Sequence, residues 1–291
     1  MNPNRRSFLA RATTTLAAGA LWPSLAPLWA APAHRGYRIG ACDWSIGKMA
    51  DPAAFDVARE IGLDGVQVSL GTVANGMSLR TPEVQAKYRQ AAERTGVQVA
   101  SLAIGELNNV PYKSDPRTIE WVNGAVDAAH ALGRKVILLA FFSDGDLKGD
   151  EAGTTEVVRR LKEVAPKAEK AGVILGIESW LSAEDNMRIV ERVGSKAVQI
   201  YYDVANSTQM GYDIDREIRW LGRQGTICEF HMKENGSLLG QGKIDFAKVR
   251  AAIEDIGYRG WMQIEGAVPS GGQLVPSYIA NRTFLRGLFP A

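Results

Sequence analysis

The sequence predicts an α/β chain of the (β/α)8 class, a TIM barrel. Three observations lead there: eight short β-rich runs, a helical pattern after each one, and a length from residue 34 to residue 291 close to the ~250 residues typical of such a barrel. The first run, YRIGAC (37–42), is followed by DPAAFDVAREIG, where Asp51 offers a cap, Pro52 a first-turn residue and Gly62 a stop. The second, GVQVSL (65–70), leads into TPEVQAKYRQAAERTG, punctuated in the same way by Thr81, Pro82 and Gly96. VQVASLAI (97–104) precedes a helix over 115–133, KVILLAFF (135–142) one over 154–172, and VILGIES (173–179) one over 182–194. VQIYYDV (198–204), ICEFHMK (227–233) and WMQIEG (261–266) precede helices over 213–224, 244–257 and 276–288. Strand-then-helix units require parallel strands with crossovers, and eight strands close a barrel. The alternative, a doubly wound open sheet, often shows a glycine-rich phosphate loop after its first strand; GACDWSIGK matches neither common version.

Composition narrows the partners. The net charge is +2 and the two signs are mixed along the chain, so no basic stripe exists to hold a phosphate backbone, and nucleic acid is not expected. Residues 1–33 differ from the rest. Arg5 and Arg6 precede Phe8 and Leu9, an Ala-rich apolar stretch runs to Trp29, and small residues surround Ala30 to Ala33. This order resembles a twin-arginine signal peptide. It implies a bacterial protein handled by export machinery, cleaved after Ala30 or Ala33, and periplasmic or secreted, with the barrel over 34–291. An uncleaved anchor is the alternative reading, but Gly19, Pro23 and Pro27 break the apolar stretch. No later segment is apolar enough to span a bilayer, so no stable membrane insertion is expected after cleavage. Cys42 and Cys228 fall in the first and seventh strands. Two strand spacings, about 9.5 Å, exceed the roughly 7 Å that a disulfide can bridge, so two free and largely buried thiols are expected.

Alternate residues of a strand point to opposite sides of the sheet. In the sixth run Ile200, Tyr202 and Val204 oppose Gln199, Tyr201 and Asp203; in the seventh Cys228, Phe230 and Met232 oppose Glu229, His231 and Lys233. In the eighth Met262 and Ile264 oppose Gln263 and Glu265, and in the fifth Leu175 and Ile177 oppose Gly176 and Glu178. The apolar faces suit the outer helices, which turns the polar faces inward. Three carboxylates, an imidazole and an ammonium then converge near strand C-terminal ends, the edge where barrel enzymes place their chemistry. Burying them is costly unless something compensates the charge. A divalent cation held by Glu178, Asp203, His231 and Glu265 would do so; one nitrogen and three carboxylates suit Mn2+ or Mg2+, with Co2+, Fe2+ and Zn2+ as alternatives. Taken singly, each residue has a plainer role: Asp203 or Glu178 as a helix cap, Lys233 as an ion-pair partner. Four such residues on four consecutive inward faces are harder to explain as independent caps.

The motifs GIES with Glu178, YYDVAN with Asp203, FHMKE with His231, the GQGKIDF loop, and GYRGWMQIEG with Glu265 resemble the xylose-isomerase-like TIM barrels known as sugar phosphate isomerases/epimerases. The resemblance covers essentially all of the chain after the signal. It implies metal ligation by Glu178, Asp203, His231 and Glu265, with Glu178 and Glu265 also acting as the acid/base pair on opposite faces of a ketose. Glu184 matches a substrate-contacting acid of some members. The chain departs from the common pattern at Asn206, where many members have His, at Gln67, where many have Glu, and at Ser237, where sugar epimerases tend to carry Arg. Asn206, Lys233, Gln67 and Glu184 are thus the expected substrate-binding residues. No phosphate-binding loop is evident, and phosphorylated sugars are scarce outside the cytoplasm, so the expected substrate is an unphosphorylated sugar or cyclitol.

The expected activity is isomerisation or epimerisation by removal of a proton next to a carbonyl, through an enediolate. The same first step followed by expulsion of a substituent would make a lyase or hydratase acting on 3-keto sugars or glycosides. A third reading is a non-catalytic sugar-binding barrel. DNA repair of the endonuclease IV kind is disfavoured, because that chemistry uses several histidines and only His231 is placed to serve here.

Overall fold

The computed structural model describes residues 36–291; the expected signal peptide lies outside the described residues. Eight parallel strands close a barrel in sequence order. They are β1 (Arg38–Cys42), β2 (Gly65–Ser69), β3 (Gln98–Ile104), β4 (Val136–Phe141), β5 (Ile174–Ser179), β6 (Val198–Asp203), β7 (Ile227–Glu234) and β8 (Trp261–Gly266), and β1 pairs with β8 to complete the circle. Around them lie α1 (Ala54–Ile61), α2 (Pro82–Thr95), α3 (Arg117–Ala131), α4 (Glu151–Ala171), α5 (Ala183–Val193), α6 (Val204–Gln209), α7 (Ile214–Arg223), α8 (Phe246–Asp255) and α9 (Leu274–Leu288). Among the described residues no helix is long and apolar enough to cross a membrane.

The main core lies between the sheet and the helices. Outward residues such as Val66, Leu102, Ile137, Ile177, Ile200, Phe230 and Ile264 are buried there against Phe55, Val122, Leu161 and Ile218. Inside the barrel the apolar cluster is small: Ala103, Val136, Leu138, Ala140 and Tyr201. The rest of the interior is polar, as the alternation on β5 to β8 predicts.

Three local expectations need correction. Gly62 and Gly96 close α1 and α2 in the left-handed conformation, but neither predicted capping side chain serves its helix. The Asp51 carboxylate accepts from Ala53 N–H, which itself holds the N-cap position, and the Thr81 hydroxyl donates to Ser78 C=O. Helix α6 was not anticipated; it starts one residue after Asp203 and is only six residues long, too short for a periodic signal. Cys228 was assigned to the outward face, yet its Sγ lies against Gly176, where an added Cβ would approach it to 2.7 Å. The register of β6 and β7 slips there, Ile200 pairing with Ile227 and Tyr201 with Glu229. This is a bulge, so Cys228 and Glu229 both turn inward. Cys42 and Cys228 are free thiols.

Candidate metal centre

The inward residues at the C-terminal ends of β5 to β8 meet. One potential ligand atom from each of Glu178, Asp203, His231 and Glu265 lies within 4.8 Å of all the others. Parallel register makes this possible: Asp203 is opposite His231 across β6 and β7, and Lys233 is opposite Glu265 across β7 and β8. His231 is fully buried, and its Nδ1 is 2.7 Å from Glu178 Oε1, 3.5 Å from Glu265 Oε2 and 3.8 Å from Asp203 Oδ2.

Asp203 divides its two oxygens. Oδ1 accepts from the N–H groups of Ala205 and Asn206 at 2.7 and 2.8 Å, capping α6. Oδ2 faces the cluster, is buried, and has no hydrogen-bond partner. Capping and ligation are therefore compatible in one carboxylate. A buried carboxylate oxygen without a donor is costly, and a cation among these four groups would satisfy it. The donor set fits a hard or borderline divalent metal.

Glu265 is held by two donors: Trp44 Nε1 reaches its Oε1 at 3.0 Å and Lys233 Nζ its Oε2 at 2.8 Å. Burial raises the pKa of this carboxyl, but the charges of His231 and Lys233 outweigh it and hold the group below the usual carboxylate range. Burial, together with repulsion from Glu178 and Glu265, pushes Asp203 up despite Lys233. The neighbouring carboxylates raise Lys233 and His231 in spite of their burial.

A cavity of about 370 Å³ opens onto this cluster. Glu178, Glu265, Lys233 and Asn206 line it, and among the described residues Lys233 is the one cation in its wall. Its other walls include Trp44, Phe142 and Trp180, with the rings of Phe142 and Trp180 edge to face at 5.2 Å. Gly105 and Ala140 also line it, and a Cβ added at Gly105 would meet nothing within 4 Å. A larger groove, about 770 Å³, runs between the starts of α4 and α5. Its two arginines are paired with two of its own carboxylates, Arg192 with Glu151 and Arg188 with Asp185.

Two of the expected substrate-binding residues lie elsewhere. Glu184 sits in the first turn of α5, half exposed and paired with Arg216 at 3.2 Å, in a separate cleft. The acid that opens a helix is aimed at solvent there. Gln67 is fully buried behind His231, its Oε1 2.9 Å from Nε2, and does not line the cavity. Ser237, like Glu184, lies outside the cavity, in a cleft near the end of β7. The residues that the sequence did not disclose are Trp44, Phe142 and Trp180. Phe142 and Trp180 each follow the C-terminal end of a strand, β4 and β5, and that placement was the available signal. Trp44 lies in the turn after β1 and carried none.

The family profile described as Xylose isomerase-like TIM barrel matches residues 55–286. Among curated proteins the chain is 27% identical over 177 residues to 2-epi-5-epi-valiolone 7-phosphate 2-epimerase of Actinoplanes sp., a match covering 60% of this chain and 65% of that protein. It is 28% identical over 143 residues to D-psicose 3-epimerase of Enterocloster bolteae, covering 46% of each. The chain thus spans less than two thirds of the length of either relative. Its fold is similar to the crystal structure of 3-keto-D-glucoside 4-epimerase from E. coli, with a TM-score of 0.71 at 16% identity over 86% of this chain and 99% of that one.

Proposed function

The chain belongs to the xylose isomerase-like TIM barrel family, and from that premise we propose that it is a divalent-metal-dependent isomerase or epimerase of an unphosphorylated sugar or cyclitol. The observation that carries this reading is the four-residue cluster under the cavity, with Asp203 Oδ2 buried within it and without a hydrogen-bond partner. The named relatives act as epimerases on small polyhydroxylated molecules, which supports the reaction class.

Glu178, Asp203, His231 and Glu265 would hold the cation, which would polarise the carbonyl and an adjacent hydroxyl of the substrate and make the α-proton removable. Glu178 and Glu265 both reach the cavity, from strands separated by β6 and β7; one would take the α-proton and the other, protonated, would deliver its own proton to the opposite face. Trp44 and Lys233 keep Glu265 ionised and fix both its oxygens. Asn206, on the cavity wall, offers a donor and an acceptor for a substrate hydroxyl. The aromatic walls suit the C–H faces of a sugar ring. Among the described residues the cation in the cavity wall, Lys233, is already paired to Glu265, which supports an unphosphorylated substrate, whereas the name of the Actinoplanes relative carries a 7-phosphate.

The test is elemental analysis of the purified protein, joined to a screen of ketoses, inososes and 3-keto-glycosides in deuterated solvent. Solvent deuterium at the substrate α-carbon with conserved mass supports an isomerase or epimerase. Release of water or an aglycone would instead identify a lyase, and metal uptake without exchange on any substrate a binding protein. A wild-type protein that takes up no divalent metal would remove the centre of this reading. We also propose export by the twin-arginine route, which replacement of Arg5 and Arg6 by Lys should block in a cell-fractionation assay.

A further inference from the structure

Beneath the four-residue cluster lies a second polar layer that the proposed chemistry does not touch. Gln67 stands at its centre, and all four hydrogen-bonding positions of its side-chain amide are used. Its Nε2 donates to Ser101 Oγ at 3.1 Å and to Tyr201 OH at 3.0 Å. Its Oε1 accepts from Cys42 Sγ at 3.3 Å and faces His231 Nε2 at 2.9 Å. Both hydroxyls in turn donate to one oxygen, Glu229 Oε2, at 2.7 Å from Ser101 and 3.1 Å from Tyr201. Gln67, Ser101, Tyr201, Glu229 and His231 are all buried.

These contacts fix a direction. Because Ser101 and Tyr201 give their hydroxyl protons to Glu229, what they offer Gln67 is lone pairs, so the NH2 end of its amide must face them. Its oxygen then faces His231. The opposite orientation would present one N–H to Nε2 and the other to Cys42 Sγ, and would draw both hydroxyl protons away from Glu229, leaving that buried carboxyl only the 3.5 Å contact from Gln263 Nε2. A buried acceptor left without its donors is costly. An acceptor at Nε2 needs a proton there, so when a cation takes the place of the proton that Nδ1 shares with Glu178 Oε1 at 2.7 Å, Nδ1, the ring nitrogen beside Glu178, Glu265 and Asp203, would be the donor atom that it meets.

We propose that Gln67 is a positioning residue: it holds the His231 ring with its proton on Nε2 and its lone pair on Nδ1 aimed into the cluster, and its own orientation is set by Glu229 through Ser101 and Tyr201. This inference rests on the metal reading above. It places Gln67 behind the metal centre and not on the substrate. It also explains why Glu229 lies inward at the β6–β7 bulge although it reaches neither the cavity nor the ligand cluster.

The experiment is calorimetric titration of the full chain, stripped with a chelator, with Mn2+ alone. Wild type is compared with Gln67→Leu, Gln67→Glu and Tyr201→Phe, and circular dichroism establishes that each variant is folded. Gln67→Leu should bind Mn2+ about 10- to 100-fold more weakly, the usual cost of losing a partner that orients a ligating histidine. Gln67→Glu keeps an acceptor at Nε2 and should recover most of that loss, which a merely space-filling role would not produce. Tyr201→Phe removes one of the two groups that orient the amide and should cost about two- to tenfold, the scale of one hydrogen bond; it decides the matter even where Gln67→Leu does not fold. In [15N]histidine-labelled protein loaded with Zn2+, the His231 proton should be on Nε2 and protected from solvent in wild type, and exposed to exchange in Gln67→Leu. Wild type that takes up no Mn2+ overturns the metal reading and this inference with it. Equal Mn2+ affinity in folded wild type and Gln67→Leu, or a wild-type proton on Nδ1, overturns this inference alone.

Discussion

The two halves of the barrel are built from different chemistry. Toward their C-terminal ends the inward positions of β1 to β4 hold Cys42, Gln67, Ser69, Ser101, Ala103, Leu138 and Ala140, all uncharged, whereas those of β5 to β8 hold Glu178, Asp203, Glu229, His231, Lys233 and Glu265. One half gathers charge; the other supplies small walls and neutral hydrogen-bonding groups. The difference teaches how a barrel tolerates so many ionisable groups inside. They are grouped so that the compensating partners are shared, and neutral groups of the other half, such as Gln67 and Ser101, hydrogen-bond to them.

The comparison is broken most severely in the charged half. Glu178→Gln and Glu265→Gln should each lower the rate of α-proton exchange about 10²- to 10⁴-fold, the usual worth of a general acid or base, as read by deuterium incorporation on a substrate found in the screen. Asp203 offers a sharper cut, because its two oxygens do different jobs. Asp203→Asn keeps the Oδ1 acceptor for α6 and removes a buried charge, so it should abolish Mn2+ uptake while leaving the chelator-treated protein at least as stable as wild type. Asp203→Ala should lose metal and, relative to the Asn variant, about 1 kcal/mol of stability with the cap. Thermal melts in chelator separate the two.

Changes in the cavity walls that the neutral half supplies should affect substrate and spare metal. Gly105→Leu, or Ala140→Val, projects into the cavity and should reduce kcat/KM about tenfold or more, equivalent to about 1.4 kcal/mol, with Mn2+ content unchanged. The smallest effect concerns Asp43 at the end of β1. Burial raises its carboxyl from 3.8 to about 6, against the hydrogen bonds that it accepts from Ser69 and Ala50. Since the folded value exceeds the unfolded one, the favourable contribution to stability is present in full below pH 3.8 and is lost as the pH rises to about 6. A carboxyl ¹³C titration should show this midpoint, and Ser69→Ala, which removes a donor to the ionised form, should move it higher.

What the sequence disclosed follows from periodicity. Two-residue alternation on β5 to β8 was enough to turn Glu178, Asp203, His231 and Glu265 toward a common point, because a regular parallel strand has only two faces. It failed at Cys228, where one extra residue in β7 resets the alternation and nothing in the local composition announces the bulge. It also did not separate Gln67 from the cavity: the face of a strand was legible, but depth along the barrel axis depends on the stagger between strands, which pattern does not carry. Glu184 illustrates a different limit. Similarity of position suggested a substrate contact, and a helix that begins at Ala183 points that carboxylate toward Arg216 instead. Trp44 became visible only when the turn after β1 was folded over Glu265.

Gly105 has a further consequence, for how this protein can change over generations. Its backbone is not in the left-handed region, and no atom stands where its side chain would go. Single-base changes of a glycine codon give alanine or valine, and each would narrow the cavity by a step without touching a ligand of the metal centre or straining the main chain. Under the proposed function, substrate range is thus open to gradual drift at this position, while the four-residue cluster, spread over four strands and held by mutual contacts, is conservative by construction.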